Sequence, residues 1–200
     1  KNKADPYADL VWPPPPDKPR IKLDAVIAGR LDVVAESAWK RLVAGTSASP
    51  YDNFVKPQDV EFDPKGRILV TDAGNSAVLR FDRQNRRMDV FGTTGTTKLK
   101  LALGLGVLPD GSFWVADGGN QVVVGFDEEG KPLGTMGSGS LANPTDAAPS
   151  SDGKLLYVTD SKKHEVVAFD LRTLKKSFAF GTPGTEKGQF WFPTSVGVGP

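Results

Sequence analysis

The chain has 200 residues, 38% of them hydrophobic and 24% charged, with a formal net charge of +1 at pH 7. This charge argues against general binding to polyanions, and no apolar run approaches the roughly 20 residues of a transmembrane helix. Cysteine is absent and His164 is the only histidine. Disulfides, thiolate metal sites and cysteine nucleophiles are therefore excluded, and any histidine-dependent catalysis would rest on one residue.

The first segment, residues 1–22, is distinguished by its prolines, four of which, Pro13 to Pro16, are consecutive. Because proline fixes φ and has no backbone donor, we expect an extended polyproline II leader. Such a leader is a stiff spacer or, alternatively, a docking peptide for a partner's aromatic groove.

The next segment, residues 23–56, is ambiguous over residues 23–45. Residues 25–28 fit a short strand, whereas the apolar residues between Asp32 and Leu42 also fit one face of an amphipathic helix. Because strand-like sequence follows, we favour strands here and interpret the segment as a partial copy of the repeat that begins at residue 57.

From residue 57 the sequence repeats. The full units span about 57–92, 103–137 and 144–181, and a partial unit occupies 190–200. Each full unit has four short apolar runs separated by turn residues, and a period of about 40–50 residues with four strands is typical of a propeller blade. The prediction is an all-β fold, a β-propeller of four-stranded antiparallel blades with about three to four blades present. It places residues 23–200 in the propeller.

Polar residues recur at fixed positions of the units. Asp72 and Asp117 each end an apolar run and are followed three residues later by Asn75 and Asn120. These side chains can bond backbone amides of the following turn, and we expect that structural role for them in preference to binding a ligand.

The pattern of the units resembles the NHL repeat. Residues 57–92 carry it almost completely, from Pro57 through Asp72 and Asn75 to Gly92, and the third unit departs from it with Lys163 in place of the Asn. The resemblance implies a propeller that is most often six-bladed. The family includes scaffolds, RNA binders, lyases and signalling sensors, so function does not follow from the fold.

The leader carries a narrower resemblance. Trp12 with Pro13–Pro16, followed by Pro19-Arg20-Ile21, is similar to exported six-bladed NHL propellers, often lipoproteins, of bacteria rich in surface multihaem cytochromes. The resemblance implies an extracytoplasmic location, in the periplasm, at the outer-membrane surface or secreted. It also implies a possible lipid anchor upstream of Lys1 and multihaem cytochromes among the partners.

Three full blades do not close a ring, because propellers have about four to eight blades. We therefore expect that the rest of a longer chain, a second copy of this chain or a different protein completes a six-bladed ring.

One rim of the propeller is predicted to be basic, because the loops after each second-strand Asp and the loops between blades share it. Its basic residues are Lys98, Lys100, Lys162, Lys163, His164 and Lys187. They could form a patch for an anionic partner such as haem propionates or acidic side chains. Scattered, solvated lysines are the alternative.

Three functions are open, and the leading hypothesis is a non-catalytic scaffold that binds other proteins. The first alternative is a metal-dependent hydrolase or lyase. Asp59 and Asp146 would lie near the propeller channel, where oxygen ligands favour calcium, although no cofactor is expected. The second alternative is an RNA-binding module, which would need exposed aromatics among the lysines. The sequence offers only residues 189–192 for this, and an aromatic there is expected to be buried between blades.

Overall fold

The computed structural model of the chain describes residues 10–14, 16–18, 20–34 and 49–199. Within these ranges there are fourteen strands: β1 (Val11–Trp12), β2 (Ile21–Lys22), β3 (Pro57–Phe62), β4 (Ile68–Asp72), β5 (Ala77–Asp82), β6 (Arg87–Phe91), β7 (Ala102–Val107), β8 (Phe113–Asp117), β9 (Val122–Phe126), β10 (Pro132–Met136), β11 (Pro144–Pro149), β12 (Leu155–Asp160), β13 (Glu165–Asp170) and β14 (Lys175–Phe180). The same ranges contain two 3-10 turns, Arg30–Asp32 and Gly95–Thr97, and no α-helix. No helical segment there has the length and apolar character needed to cross a bilayer.

Twelve of the strands form three four-stranded antiparallel sheets. Each sheet is made of consecutive strands in simple order: β3 to β6, β7 to β10, and β11 to β14. The first strands of the three sheets, β3, β7 and β11, lie side by side. The sheets are therefore neighbouring blades around a common axis, and the prediction of an all-β propeller architecture is confirmed.

Large side chains fill the space between the first and second blades. Phe91 of β6 packs on Phe113 with ring centroids 5.2 Å apart, and Phe113 stacks on Phe126 at 5.2 Å. Leu69 and Leu105 complete this core and are at most 2% exposed. Burying each of these side chains contributes about 1.5–3 kcal/mol, so the blade contact is a principal source of stability.

The second and third blades share a similar core. Trp114 and Met136 face Leu156 and Phe169 across the contact, and all four are at most 3% exposed. Gly125 is required beside Trp114, because a Cβ there would lie 2.5 Å from the indole ring. The indole thus takes the volume that a side chain on β9 would otherwise fill.

The other face of the first blade is covered by the segment before it. Val33, Tyr51 and Phe54 pack against this blade, and the rings of Phe54 and Phe81 meet edge to face at 5.6 Å. No strand occurs in 23–34 or 49–56, so the expected strand at 25–28 is wrong. The segment caps the core with side chains and does not extend the sheet. The helix alternative falls largely on residues 35–48, outside the described residues.

The leader forms a small hairpin in its described part, where β1 pairs with β2. The Arg20 N–H donates to the Trp12 carbonyl at 2.8 Å, and the Leu23 N–H donates to Leu10 at 2.9 Å. Within its described residues the leader therefore folds back on itself, and its two extended stretches pair with each other. Prolines lack N–H donors, and the hairpin takes its donors from residues after the proline run.

The face of the third blade that points away from the second blade is not covered by another sheet within the described residues. Phe180 is 47% exposed, whereas the residues at the same register in the first and second blades, Phe91 and Met136, are 8% and 1% exposed. Residues 193–199 contain no strand, but they run beside β11 at the position of the next innermost strand. The Val196 N–H reaches Asp146 there at 2.9 Å.

Candidate functional site

Three buried aspartates hold the chain where it enters each blade. Asp72, Asp117 and Asp160 end β4, β8 and β12 and have no exposed surface. Each accepts hydrogen bonds from the two residues directly before the innermost strand of its own blade, here called the lead-in pair. The lead-in pairs are Val55-Lys56, Lys100-Leu101 and Ala142-Asn143, and the N···O distances are 2.6–3.0 Å.

The asparagines complete these turns. Asn75 donates its side-chain amide to Asp72 at 2.9 Å, and Asn120 does the same to Asp117 at 2.7 Å. The predicted structural role of the Asp and Asn side chains is therefore confirmed. Burial acts to raise the pKa of Asp72, but hydrogen bonds from Val55, Lys56 and Asn75 outweigh it and hold that pKa below its usual value.

A second contact links each blade to the lead-in pair of the next. The residue four positions after the buried Asp adopts a positive φ, 51° at Ser76 and 60° at Gln121. The Ser76 hydroxyl donates to the Lys100 carbonyl at 2.8 Å, and the Gln121 side-chain amide donates to the Ala142 carbonyl at 3.1 Å. Both carbonyls belong to the first residue of a lead-in pair, so this contact repeats from blade to blade.

His164 occupies the same turn position in the third blade, with φ 57°. Its Nδ1 accepts the backbone N–H of Phe192 at 3.1 Å. By this correspondence Trp191 and Phe192 form the fourth lead-in pair. The histidine anchors them by accepting an N–H, where Ser76 and Gln121 donate to a carbonyl.

His164, Trp191 and Phe192 form an exposed ring cluster. The His164 ring centroid lies 4.4 Å from that of Phe192 and 5.3 Å from that of Trp191. Trp191 meets Phe192 edge to face at 5.4 Å. Trp191 is 67% exposed and Phe192 52%, so the cluster is a surface feature. Together with Lys162 and Lys163, which precede His164 in its turn, these residues are here called the rim cluster.

The expectation that residues 189–192 bury an aromatic at the blade junction is met only in part, because Phe190 packs at the junction but is half-buried. Its ring packs over Gly181, as Leu99 packs over Gly92 and Leu141 over Gly137. Trp191 and Phe192 are exposed instead. In an alignment of the repeats, Trp191 and Phe192 fall at the positions of Val55 and Lys56, which are also exposed. This alignment is the sequence signal that could have identified them.

The structure brings together only part of the predicted basic rim. Lys162, Lys163 and His164 share one turn, and Lys163 also donates to the Ser140 carbonyl.

The other three lysines lie elsewhere. Lys98 and Lys100 lie at the lead-in of the second blade, where their carbonyls accept bonds from Asn120 and Ser76. Lys187 is exposed in the loop after β14. No ion pair involves any of the five lysines within the described part of the chain.

The innermost strands carry acidic residues on the axis side. Asp59 accepts the Leu105 N–H of the next blade at 2.8 Å, and Asp146 accepts the Val196 N–H at 2.9 Å. Gly104 holds the equivalent position in the second blade, where a Cβ would lie 2.3 Å from the Asp146 Cα. A cavity of about 260 Å³ borders these residues together with Thr145.

The two aspartates predicted as metal candidates therefore line one cavity, but both serve as acceptors for backbone N–H groups. Each also accepts the N–H of its following residue at 2.8 Å. Burial raises the pKa of Asp146, and the Asp59 charge adds to this effect. No group of three or more acidic or histidine side chains within the described ranges is arranged to hold a metal ion.

The negative charges of Asp59 and Asp146 also act on Glu61, and their effect on stability can be measured. Loss of hydration raises its pKa, and the charges of Asp59 and Asp146 raise it further. A folded-state pKa above the unfolded value means that this group opposes folding as pH rises above the usual value of 4.5. Glu61→Gln should therefore increase the free energy of unfolding at pH 7, by less than about 1 kcal/mol because the side chain is exposed.

Urea unfolding of Glu61→Gln and the unmodified chain at pH 7 and pH 4 measures this gain. It should be present at pH 7 and largely absent at pH 4, where the carboxyl is protonated. Glu129→Gln, in an exposed turn far from the axis, serves as the control. A gain of the same size at both pH values would contradict the electrostatic explanation.

Comparison with known proteins gives a fold but no family. No family model matches the sequence, and no curated protein matches it. Among solved structures, the chain is similar to hydrazine synthase of Kuenenia stuttgartiensis, with 16% identity and a TM-score of 0.58 over 76% of this chain and 41% of that chain. It is also similar to virginiamycin B lyase of Staphylococcus aureus, with 13% identity and a TM-score of 0.57 over 72% of this chain and 45% of that chain.

A third similar chain belongs to a nidogen/laminin complex, with 19% identity and a TM-score of 0.55 over 73% of this chain and 56% of that chain. The chain thus spans between about two fifths and just over half of these proteins. At such identities the likeness shows the propeller fold alone, and proteins with this fold include both a lyase and a member of a protein complex.

Proposed function

We propose that the chain is a non-catalytic β-propeller scaffold that binds another protein through the rim cluster. The observation that carries the proposal is the exposed pair Trp191 and Phe192, anchored on His164 beside two lysines. Aromatic residues are enriched where binding energy concentrates, and a backbone-anchored cluster loses little conformational entropy on binding.

The location, the partner class and the blade number in this proposal rest on the resemblance of the leader and the repeats to exported NHL propellers. It places the protein outside the cytoplasm, with a possible lipid anchor upstream, and makes surface multihaem cytochromes one class of partner. It also places the three blades in a six-bladed ring. The partly exposed Phe180, at a register that is buried in the other blades, supports a further covering element. The NHL assignment of the repeats belongs to the same proposal.

A contribution of Trp191 to binding is the direct test. Trp191→Ala should weaken binding of the partner, recovered from the native source and then purified, by about tenfold or more, the effect of losing a hot-spot residue. Phe62→Ala removes a side chain of nearly equal exposure, 66%, from β3 and should leave affinity unchanged. Isothermal titration calorimetry measures both. Equal affinity for Trp191→Ala and the unmodified chain would overturn the proposal.

One observation favours a second candidate, binding of single-stranded RNA. Exposed aromatics beside Lys162 and Lys163 are a combination that RNA-binding surfaces use. The three rings, however, pack against one another at interplanar angles of 41–83°. Such packing does not present the open parallel faces on which successive bases stack, and the net charge is only +1. Protein binding is therefore the better supported function.

The enzymatic alternative requires a metal site near the propeller axis. A hydrolase or lyase site with calcium would have to use Asp59 and Asp146, whose oxygens already accept backbone N–H groups. The scaffold proposal expects no change in calorimetric unfolding on addition of calcium. A rise in melting temperature that Asp146→Asn abolishes would favour the enzymatic alternative instead.

A further inference from the structure

The rim cluster combines apolar rings with two lysines that pair with no carboxyl group of the described residues. Lys162 and Lys163 are exposed and form no ion pair within the described residues. Two other lysines of the described residues do form such pairs, Lys65 with Glu128 and Lys154 with Asp152. The Lys163 ammonium donates to the Ser140 carbonyl, a neutral acceptor, so both lysines keep a net positive charge that a ligand can meet.

The geometry of the turn fixes the two kinds of group relative to each other. Lys162 and Lys163 lie in the turn between β12 and β13, and His164 ends that turn. Asp160 holds the Lys163 backbone N–H at 3.2 Å, and His164 holds the Phe192 N–H at 3.1 Å. The Lys163 backbone and the Phe192 backbone are thus held by hydrogen bonds at one blade edge. A ligand that touches the rings therefore lies next to the turn that carries the lysines.

We propose that the rim cluster is a docking site for an acidic segment of a partner protein, a segment in which carboxylates flank at least one apolar side chain. This inference rests on the proposed function and names the chemistry of its partner. The rings of Trp191 and Phe192 accept the apolar side chain, and the lysines attract the carboxylates. In such an arrangement the charges mainly raise the association rate and select the sign of the partner, while the buried aromatics slow dissociation.

The chain offers a matched control for the charges. Lys175 and Lys176 are also consecutive exposed lysines of the third blade, at the start of β14. They lie at the opposite end of the blade from Lys162 and Lys163, since β13, which separates the two turns, is six residues long. At about 3.4 Å per residue the separation is roughly 17–20 Å, beyond the screening length at physiological salt.

The experiment uses the whole chain and a synthetic probe. The probe is a labelled peptide of about a dozen residues, rich in glutamate and containing two phenylalanines. A second peptide has glutamine in place of every glutamate. Binding is measured by fluorescence anisotropy and stopped flow at low and physiological salt. The acidic peptide should bind at least about tenfold more tightly than the glutamine peptide, with an affinity that falls as salt rises.

Substitutions of the lysines and of Trp191 test whether the acidic peptide binds at the rim cluster. Lys162→Glu with Lys163→Glu should weaken binding of the acidic peptide by about tenfold or more, mainly through slower association. Lys175→Glu with Lys176→Glu should change it by less than about twofold. Trp191→Ala should weaken it mainly through faster dissociation. Equal binding of the two peptides, equal effects of the two lysine pairs, or preferential binding of a single-stranded RNA oligonucleotide would each overturn the inference.

Failure of this inference can be told apart from failure of the proposed function. If the acidic peptide does not bind but the native partner still loses affinity with Trp191→Ala, the rim cluster docks a protein of other chemistry and only the acidic segment is wrong. If the native partner is also insensitive to Trp191→Ala, the proposed function itself fails.

Discussion

Replacing Asp117 with alanine is expected to lower the free energy of unfolding by about 3–5 kcal/mol, a large part of the stability of a domain this size. The Asp117 carboxyl accepts backbone N–H groups from Lys100, Leu101, Gly119 and Asn120, and the Asn120 side-chain amide as well. Asp117 itself is fully buried, so water replaces these bonds less readily than it does at an exposed turn. The variant leaves several donors unpaired in the central blade, which contacts both of its neighbours.

Urea unfolding followed by far-ultraviolet circular dichroism measures this loss. Asp170→Ala is the matched control, because Asp170 also accepts two backbone N–H groups of a turn, from Arg172 and Thr173, but is only half-buried. It should cost less than about 1 kcal/mol, because water can reach the donors. Equal losses in the two variants would show that the burial of Asp117 does not determine its contribution.

Gly104→Ala is the second substitution with a large expected effect. A Cβ at Gly104 would lie 2.3 Å from the Cα of Asp146 and 2.8 Å from the carbonyl oxygen of Thr145. Both obstacles are backbone, so a change of rotamer cannot relieve the clash. We expect the two innermost strands β7 and β11 to move apart, at a cost of about 3 kcal/mol or more.

Gly197→Ala is its control, since a Cβ at Gly197 meets nothing within 4 Å. Thermal unfolding by calorimetry should show a clearly lower melting temperature for Gly104→Ala and almost none of this effect for Gly197→Ala. A Gly104→Ala variant as stable as the unmodified chain would mean that β7 and β11 can separate freely, and that their close approach is not needed.

The blades were predictable from the sequence because their determinants are local. Strand length, the glycine turns and the fixed spacing of Asp72, Asp117 and Asp160 all repeat along the chain, so each unit supports the interpretation of the others. The turn role of Asn75 and Asn120 followed from the short reach of their side chains. These features need no knowledge of distant contacts.

The N-terminal cap and the rim cluster were harder to predict because they depend on contacts between distant residues. Val33 belongs to an apolar pattern that fits strand or helix, and only the exposed core of the first blade selects a cap without strands. Trp191 and Phe192 were expected in part to fill a blade junction, but Phe190 alone fits over Gly181. Which of three adjacent aromatics packs at the junction depends on one backbone register that sequence does not reveal.

The surroundings of the predicted metal candidates, Asp59 and Asp146, also depend on contacts between distant residues. Asp59 and Asp146 lie on the innermost strands of their blades, where the repeat places them. Their hydrogen-bond partners, Leu105 and Val196, come from the following repeat, 46 and 50 residues away. Spacing within a unit therefore locates such side chains but cannot say which groups already occupy their oxygens.

The buried aspartates also bear on how the chain acquires its fold. Each joins residues only 16 to 18 positions apart, so its bonds close a short loop within one blade. The bonds from Asp59 and Asp146 to the next repeat close loops about three times longer, which costs roughly 1 kcal/mol more in chain entropy. A blade can therefore assemble its own hairpins before it meets its neighbour. Docking of one preformed unit on the next is then the slower event, and the chain can form its blades in the order in which they leave the ribosome.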